Sequence, residues 1–186
     1  MSRLTCEFSK PIGVFDDIPN CEFKFLRELS RSVEKLRPIE LVEGRTRSLK
    51  KHISEFVSEI AADNNLELSD SFSLCDDSYP DSPHANLRLD YLFECRSDET
   101  GRHVFGLEIC LDNRIALGTN VLKAKALDRI HPSSDTIMFV LERTLLDSGG
   151  WDPAYADSEI YERDISHFYS KLISEQLTLF SVGLRR

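Results

Sequence analysis

Two apolar runs, LRLDYLFEC at 87–95 and HVFGLEICL at 103–111, are joined by RSDETGR and place charged residues inside otherwise hydrophobic strands. Their composition, with a glycine-containing polar spacer between them, predicts a β-hairpin. In the second run Phe105, Leu107, Ile109 and Leu111 share one face, and Val104, Gly106, Glu108 and Cys110 share the other. Turning the hairpin about Glu99 sets Leu89 opposite Ile109, Tyr91 opposite Leu107 and Phe93 opposite Phe105. All six are apolar or aromatic, so this register is chemically consistent. The same register sets Leu92 opposite Gly106 and Asp90 opposite Glu108.

Directly opposed side chains on one face have Cβ atoms roughly 4.5–5.5 Å apart, and two carboxylates at that separation repel. They need a shared proton, a basic partner or a cation. Arg88, two residues before Asp90 on the same face, would supply a structural salt bridge. A hard divalent cation is the other solution: Mg²⁺ commonly takes one or two carboxylates plus substrate phosphates. Gly106 beside the acids would leave room for another backbone to approach.

The remaining chain predicts an α/β sandwich around a mixed sheet. The stripe Phe25, Leu26, Leu29, Val33 and Leu36 predicts a helix over 23–36, and Leu49, Ile53, Phe56, Val57 and Ile60 predict another from about Thr46 to Asn64. Further elements are a helix over 117–130, the apolar strand TIMFVLE, a helix from about Ser158 to Ile173, and a closing strand LTLFSVGL. With neither repeat nor linker, 1–186 reads as one domain whose helical N-terminal part, about 20–64, packs on or extends the core.

Charge and cysteines narrow the function classes. A net charge of −9 disfavours nonspecific nucleic-acid binding, yet leaves room for a local basic groove or a metal bridging carboxylates to phosphates. Arg45, Arg47, Lys50 and Lys51 form the densest basic cluster, either a solvated helix start or a phosphate-contacting edge. Five cysteines without a CxxC pair predict reduced thiols rather than a disulfide framework or zinc knuckle. The N-terminal MSRLTCEFSKPIG has no apolar h-region and no run spans a bilayer, so the expected location is cytoplasmic.

Asp90, followed by Glu108, one residue and Cys110, resembles the PD-(D/E)xK nuclease core. The ordered segments RLDYLF, EICLDNRIALGTNVLKAKAL, TIMFVLE, SEIYERDISHFY and LTLFSVGL are similar to type II restriction endonucleases of the BglII and BstYI kind, over roughly Gly44 to Leu184. The resemblance implies a restriction-endonuclease-like sandwich and a Mg²⁺-dependent, site-specific endonuclease. Its substrate would be duplex DNA with a GATC-centred site, cut by a homodimer with one or two metal ions in each site.

It also implies roles. Asp90 and Glu108 would bind metal together with the Ile109 carbonyl. Cys110 stands at the catalytic position where the broad class has Lys and the nearer family Gln; a thiol is a weak hydrogen-bonding group there. Lys123 or Lys125 on the next helix would bring a cation from elsewhere, if not simply solvent-exposed, and Glu55 or Glu59 would be an auxiliary acid. Asp112, Asn113 and Arg114 match the recognition loop in position, and Asn and Arg suit adenine and guanine. Ser158 and Tyr161 begin a second region expected to meet DNA, while His103 and His167 receive no role. Two other functions stay open: a DNA-binding relative impaired by Cys110, and a non-enzymatic interaction domain held by an Asp90–Glu108–Arg88 salt bridge.

Overall fold

A computed structural model describes residues 2–12, 19–38, 45–74, 87–97, 101–111, 113–148, 151, 154–172 and 177–185. Six strands, β1 (Arg3–Ser9), β2 (Glu67–Ser73), β3 (Arg88–Ser97), β4 (Gly101–Ile109), β5 (Asp135–Leu141) and β6 (Leu177–Arg185), form one sheet in the order β1-β6-β5-β4-β3-β2. The strands β4, β5 and β6 run parallel, and the outer pairs are antiparallel. The sheet is therefore mixed, as expected.

Helices cover both faces. On one side lie α1 (Asn20–Glu34) and α2 (Arg45–Asp63); on the other lie α3 (Leu117–Ile130) and α5 (Ser158–Asp164). A short α4 (Arg143–Leu146) follows β5. Double coverage explains why every residue of β5 is buried and why Ile137 to Leu141 are all apolar. Alternation divides the central strands cleanly. Ile137, Phe139, Phe180 and Val182 join Phe25, Leu29, Ile53 and Val57 under α1 and α2, while Met138, Val140, Leu177 and Leu179 meet Val121, Tyr161 and Ile165 under α3 and α5. Phe25, Phe93 and Phe105 anchor the first layer, with ring centroids 4.5 Å apart for Phe25–Phe93 and 4.8 Å for Phe93–Phe105.

The expected hairpin register holds from Tyr91↔Leu107 through Phe93↔Phe105 to Ser97↔Gly101. It changes character at Leu89. That side chain packs with Leu92, Val104 and Leu127 on the Gly106 side, not with Leu107 and Ile109. Leu89 and Leu92 sharing a face breaks strict alternation, and opposite this point β2 skips Ser71, at φ 51°, between Asp70↔Tyr91 and Phe72↔Leu89. Gly106 is close to two leucine side chains rather than another backbone: an added Cβ would lie 2.9 Å from both Leu89 Cδ1 and Leu127 Cδ2.

Other expectations are corrected too. The edge strands β1 and β2 were absent from the sequence reading. The late helix is α-helical only to Asp164 and continues as a wider π turn over Ile165–Tyr169. Cys21 and Cys95 form a disulfide, Cα–Cα 6.7 Å, joining α1 to β3; Cys6 and Cys110 are free thiols. Cys75 lies outside the described residues. Among the described residues no helix is long and apolar enough to cross a membrane.

Candidate active site

Asp90 and Glu108 meet where the β3–β4 ladder ends. Beyond Tyr91↔Leu107 their side chains replace the ladder's carbonyls: the Ile109 N–H donates to Asp90 Oδ2 at 2.7 Å, and the Asp90 N–H donates to Glu108 Oε2 at 3.2 Å. Each carboxylate thus satisfies a backbone donor that the diverging strands would otherwise leave unmet. Charge-assisted bonds of this kind fix both side chains against the main chain.

The basic partner is Lys123. From the second turn of α3 its ammonium forms a short ion pair with Glu108 Oε1. The Glu108 and Lys123 side chains are only 5% and 16% exposed, whereas Asp90 is half-buried. Burial and, next, the Asp90 charge push the Glu108 carboxyl up to about 7, against the opposing pull of Lys123. Arg88, the basic partner proposed from sequence, instead turns to the Ser71 carbonyl at 3.5 Å. Lys125 pairs with Asp128 on the surface at 2.9 Å.

Cys110 is sealed in the core beside the acids. Its side chain is buried with Leu117, Val121, Met138 and Tyr161, its N–H donates to the Phe139 carbonyl at 2.9 Å, and its thiol points to the Glu108 carbonyl at 3.6 Å. Burial and the nearby Glu108 raise the thiol well above its ordinary value, with a Tyr161 hydrogen bond opposing them, so it stays protonated. Tyr161, fully buried, accepts a hydrogen bond from Asn120 Nδ2 at 3.0 Å. Tyr161 therefore ties α5 to α3 and offers no surface to DNA.

The other sequence candidates divide in the same way. The N-terminal turn of α2 approaches the Asn113 loop: Thr46 Oγ1 lies 2.9 Å from Tyr155 OH, and Tyr155 forms a β-bridge with Asn113. Arg47, Lys50 and Lys51 are exposed there; of Arg45 only the backbone is described. The Asn113 side chain caps its own turn by accepting from the Ile115 N–H at 3.0 Å. The Arg114 guanidinium binds Asp164 Oδ2 through Nε at 2.8 Å and through a terminal nitrogen at 2.7 Å, while its side chain remains 56% exposed. Asp112 lies outside the described residues. Glu55 pairs with Lys51 and His52 on the outer surface of α2, away from Glu108. Glu59 is exposed on the same helix.

Ser158 follows Asp157, whose side chain caps α5 by accepting from the Ile160 N–H at 2.8 Å. It lines a cleft of about 330 Å³ with Glu7, Glu142, Glu159 and Glu162. Four carboxylates make that cleft unfavourable for a phosphate. Tyr155 and Asp164 position the Asn113–Arg114 loop, and sequence reasoning missed both. A tyrosine in a polar loop and an acid inside a helix carry no local pattern that predicts distant partners.

The acids sit at the carboxyl end of β4, where ligands commonly bind in parallel sheets. Among the described residues no group of three or more His, Cys, Asp and Glu side chains could hold a metal ion. Asp90 and Glu108 bring two carboxylates together, a set that suits Mg²⁺, which takes few protein ligands and keeps waters or phosphate oxygens; the Ile109 carbonyl accepts from the Leu111 N–H at 3.0 Å. No family model matches the chain, and comparison with characterised proteins finds no match.

Proposed function

We propose that this chain is a Mg²⁺-dependent nuclease acting on duplex DNA, with Asp90, Glu108 and the Ile109 carbonyl as metal ligands and Lys123 as the active-site cation. The observation carrying this reading is the convergence of Asp90, Glu108 and Lys123, two acids and a lysine from β3, β4 and α3. Cys110 removes the lysine expected two residues after the glutamate, and α3 brings an ammonium to the same carboxylate from outside the strand. The resemblance to the BglII and BstYI endonucleases extends the proposal to a GATC-centred site and a homodimer. A bound Mg²⁺ would act as a Lewis acid, lowering the pKa of a water and neutralising charge on the phosphodiester.

The protein's own groups then have defined tasks. Asp90 is oriented by the Ile109 N–H through Oδ2, and its Oδ1 would serve the metal. Lys123 balances the charge of Glu108 and stands ready to donate to a phosphate oxygen or position a water. The exposed cations Arg47, Lys50 and Lys51 supply a phosphate-contacting edge beside the Asn113 loop. Arg114 must exchange Asp164 for a guanine to read sequence, so base recognition is coupled to opening that ion pair.

The enclosed Glu108–Lys123 contact also favours a second reading, a structural ion pair in a non-catalytic domain. Duplex DNA carrying GATC sites, incubated with Mg²⁺ and with chelator, separates the two. A nuclease cuts only with metal and loses activity on Asp90→Asn. Absent cleavage with an intact fold supports the structural reading, and metal-independent cleavage counts against both.

A further inference from the structure

A second buried polar cluster closes the other end of the parallel strands. Glu22, in the first turn of α1, is fully buried, and Asp135, which opens β5, is 4% exposed. Asp135 Oδ2 accepts from Lys10 Nζ at 3.0 Å and from Thr178 Oγ1 at 3.1 Å, while Glu22 Oε2 lies 3.0 Å from His103 Nε2. The remaining oxygens, Glu22 Oε1 and Asp135 Oδ1, are both buried and have no donor. Yet the two carboxyl groups are within hydrogen-bonding contact. Two ionised carboxylates have no hydrogen to place between them; one proton satisfies both oxygens at once.

We propose that Glu22 and Asp135 share a single proton at neutral pH, forming a pH-sensitive clasp that holds helix α1 and the segment after β1 on the sheet. The neighbours assign the proton. Asp135 already receives Lys10 and the Thr178 hydroxyl, so it keeps its charge; Glu22 carries the proton on Oε1 and donates to Asp135 Oδ1. Glu22 Oε2 then accepts from the Nε2–H tautomer of neutral His103.

The charged and titratable groups facing the pair are Lys10 after β1 and His103 on β4, with Glu22 on α1 and Asp135 on β5; β6 contributes the neutral Thr178. With the proton in place, one anion faces one ammonium. Without it, two buried anions face one. Burial and then Asp135 push Glu22 well above the ordinary carboxyl range, and burial lowers His103, in keeping with this assignment.

The sign follows from linkage. An acid whose folded value is raised binds its proton more tightly when folded, so the stability it contributes is full below the ordinary carboxyl value, falls as pH rises from there, and is gone once pH has passed the folded value. Glu22→Gln imitates the protonated acid, because its amide donates to Asp135 and its carbonyl accepts from His103.

Urea unfolding under non-reducing conditions should find this variant within about threefold of the parent unfolding constant near pH 5, and at least about tenfold more stable near pH 9. Infrared spectra provide a second readout, taken in a Glu108→Gln background to remove the other acid that titrates near neutrality. A protonated-carboxyl band should be present at neutral pH and vanish on alkaline titration or with Glu22→Gln. Absence of that band at neutral pH would overturn the proposal even if Glu22→Gln failed to fold, as would equal destabilisation of Glu22→Gln at both pH values.

Discussion

At one end of the parallel strands the cluster of Asp90, Glu108 and Lys123 includes a carboxylate that is only half-buried; at the other, Glu22, Asp135 and Lys10 are sealed beneath α1. Both clusters contain one aspartate, one glutamate and one lysine. Composition therefore does not separate a reactive centre from a structural one. What separates them is where the unmet valence points. Asp90 spends one oxygen on the backbone and is itself only half-buried, whereas the spare oxygens of Glu22 and Asp135 are fully buried and, in the clasp proposed above, share one proton.

The sharpest way to break this contrast is cleavage. Asp90→Asn or Glu108→Gln should lower Mg²⁺-dependent cutting of duplex DNA by about a thousandfold or more, roughly 4 kcal/mol at the transition state. Glu22→Gln should stay within about threefold of the parent, since its cluster touches no substrate. Initial rates on one duplex at saturating metal decide it, and equal losses in both clusters would erase the distinction.

Next come the lysines. Lys10→Met leaves Asp135 buried without its cation and should cost about 3–5 kcal/mol in urea unfolding. Lys123→Met should cost little stability, because Glu108 can take up a proton near neutrality, but should cut cleavage by about ten- to a hundredfold. The reverse pattern would exchange the roles assigned to the two ends.

Cys110→Gln has a smaller effect and corrects an idea that the sequence invites. A larger amide forced among Leu117, Val121, Met138 and Tyr161 should destabilise by about 1–3 kcal/mol without speeding cleavage. A faster enzyme would mean that position 110 reaches the substrate. The smallest effect belongs to His103. Burial lowers its pKa, so it contributes stability that is lost as pH falls from its ordinary value near 6.5 toward the folded value. His103→Gln keeps a donor toward Glu22 and should flatten that acid-side decline, measurable from the urea midpoint across the pH range.

The central architecture was legible because buried strands announce themselves. Ile137 to Leu141 are apolar without a break since helices cover both faces of β5, and α3 has the bounds that its pattern predicts, Leu117 and Ile130. The edges were not legible. RLTCEFS and ELSDSFS bury little, so their alternation is weak, and only pairing with β6 and β3 makes them strands. Of the candidate site, the nearness of the two acids followed from the hairpin, although the paired ladder stops one residue short of them, at Tyr91↔Leu107. The choice of Lys123 over Arg88 did not, because α3's placement over β4 is tertiary information. The same limit explains the recognition loop: Asn113 and Arg114 have suitable chemistry for bases, but Ile115 and Asp164 already engage them.

The bond between Cys21 and Cys95 spans 74 positions and makes a covalent ring containing α1, α2, β2 and most of β3. A protease cutting once inside that ring opens a loop but does not divide the molecule. Nicked chains should migrate as a single species on a denaturing gel until a reductant is added, and only then separate into two pieces. Closing a ring of this length also restricts the unfolded chain, a contribution of about 4 kcal/mol in the chain-entropy account. Two neighbouring strands at one edge of the sheet thus belong to a closed circle, while β4, β5 and β6, which carry Glu108 and Asp135, follow it as an open thread.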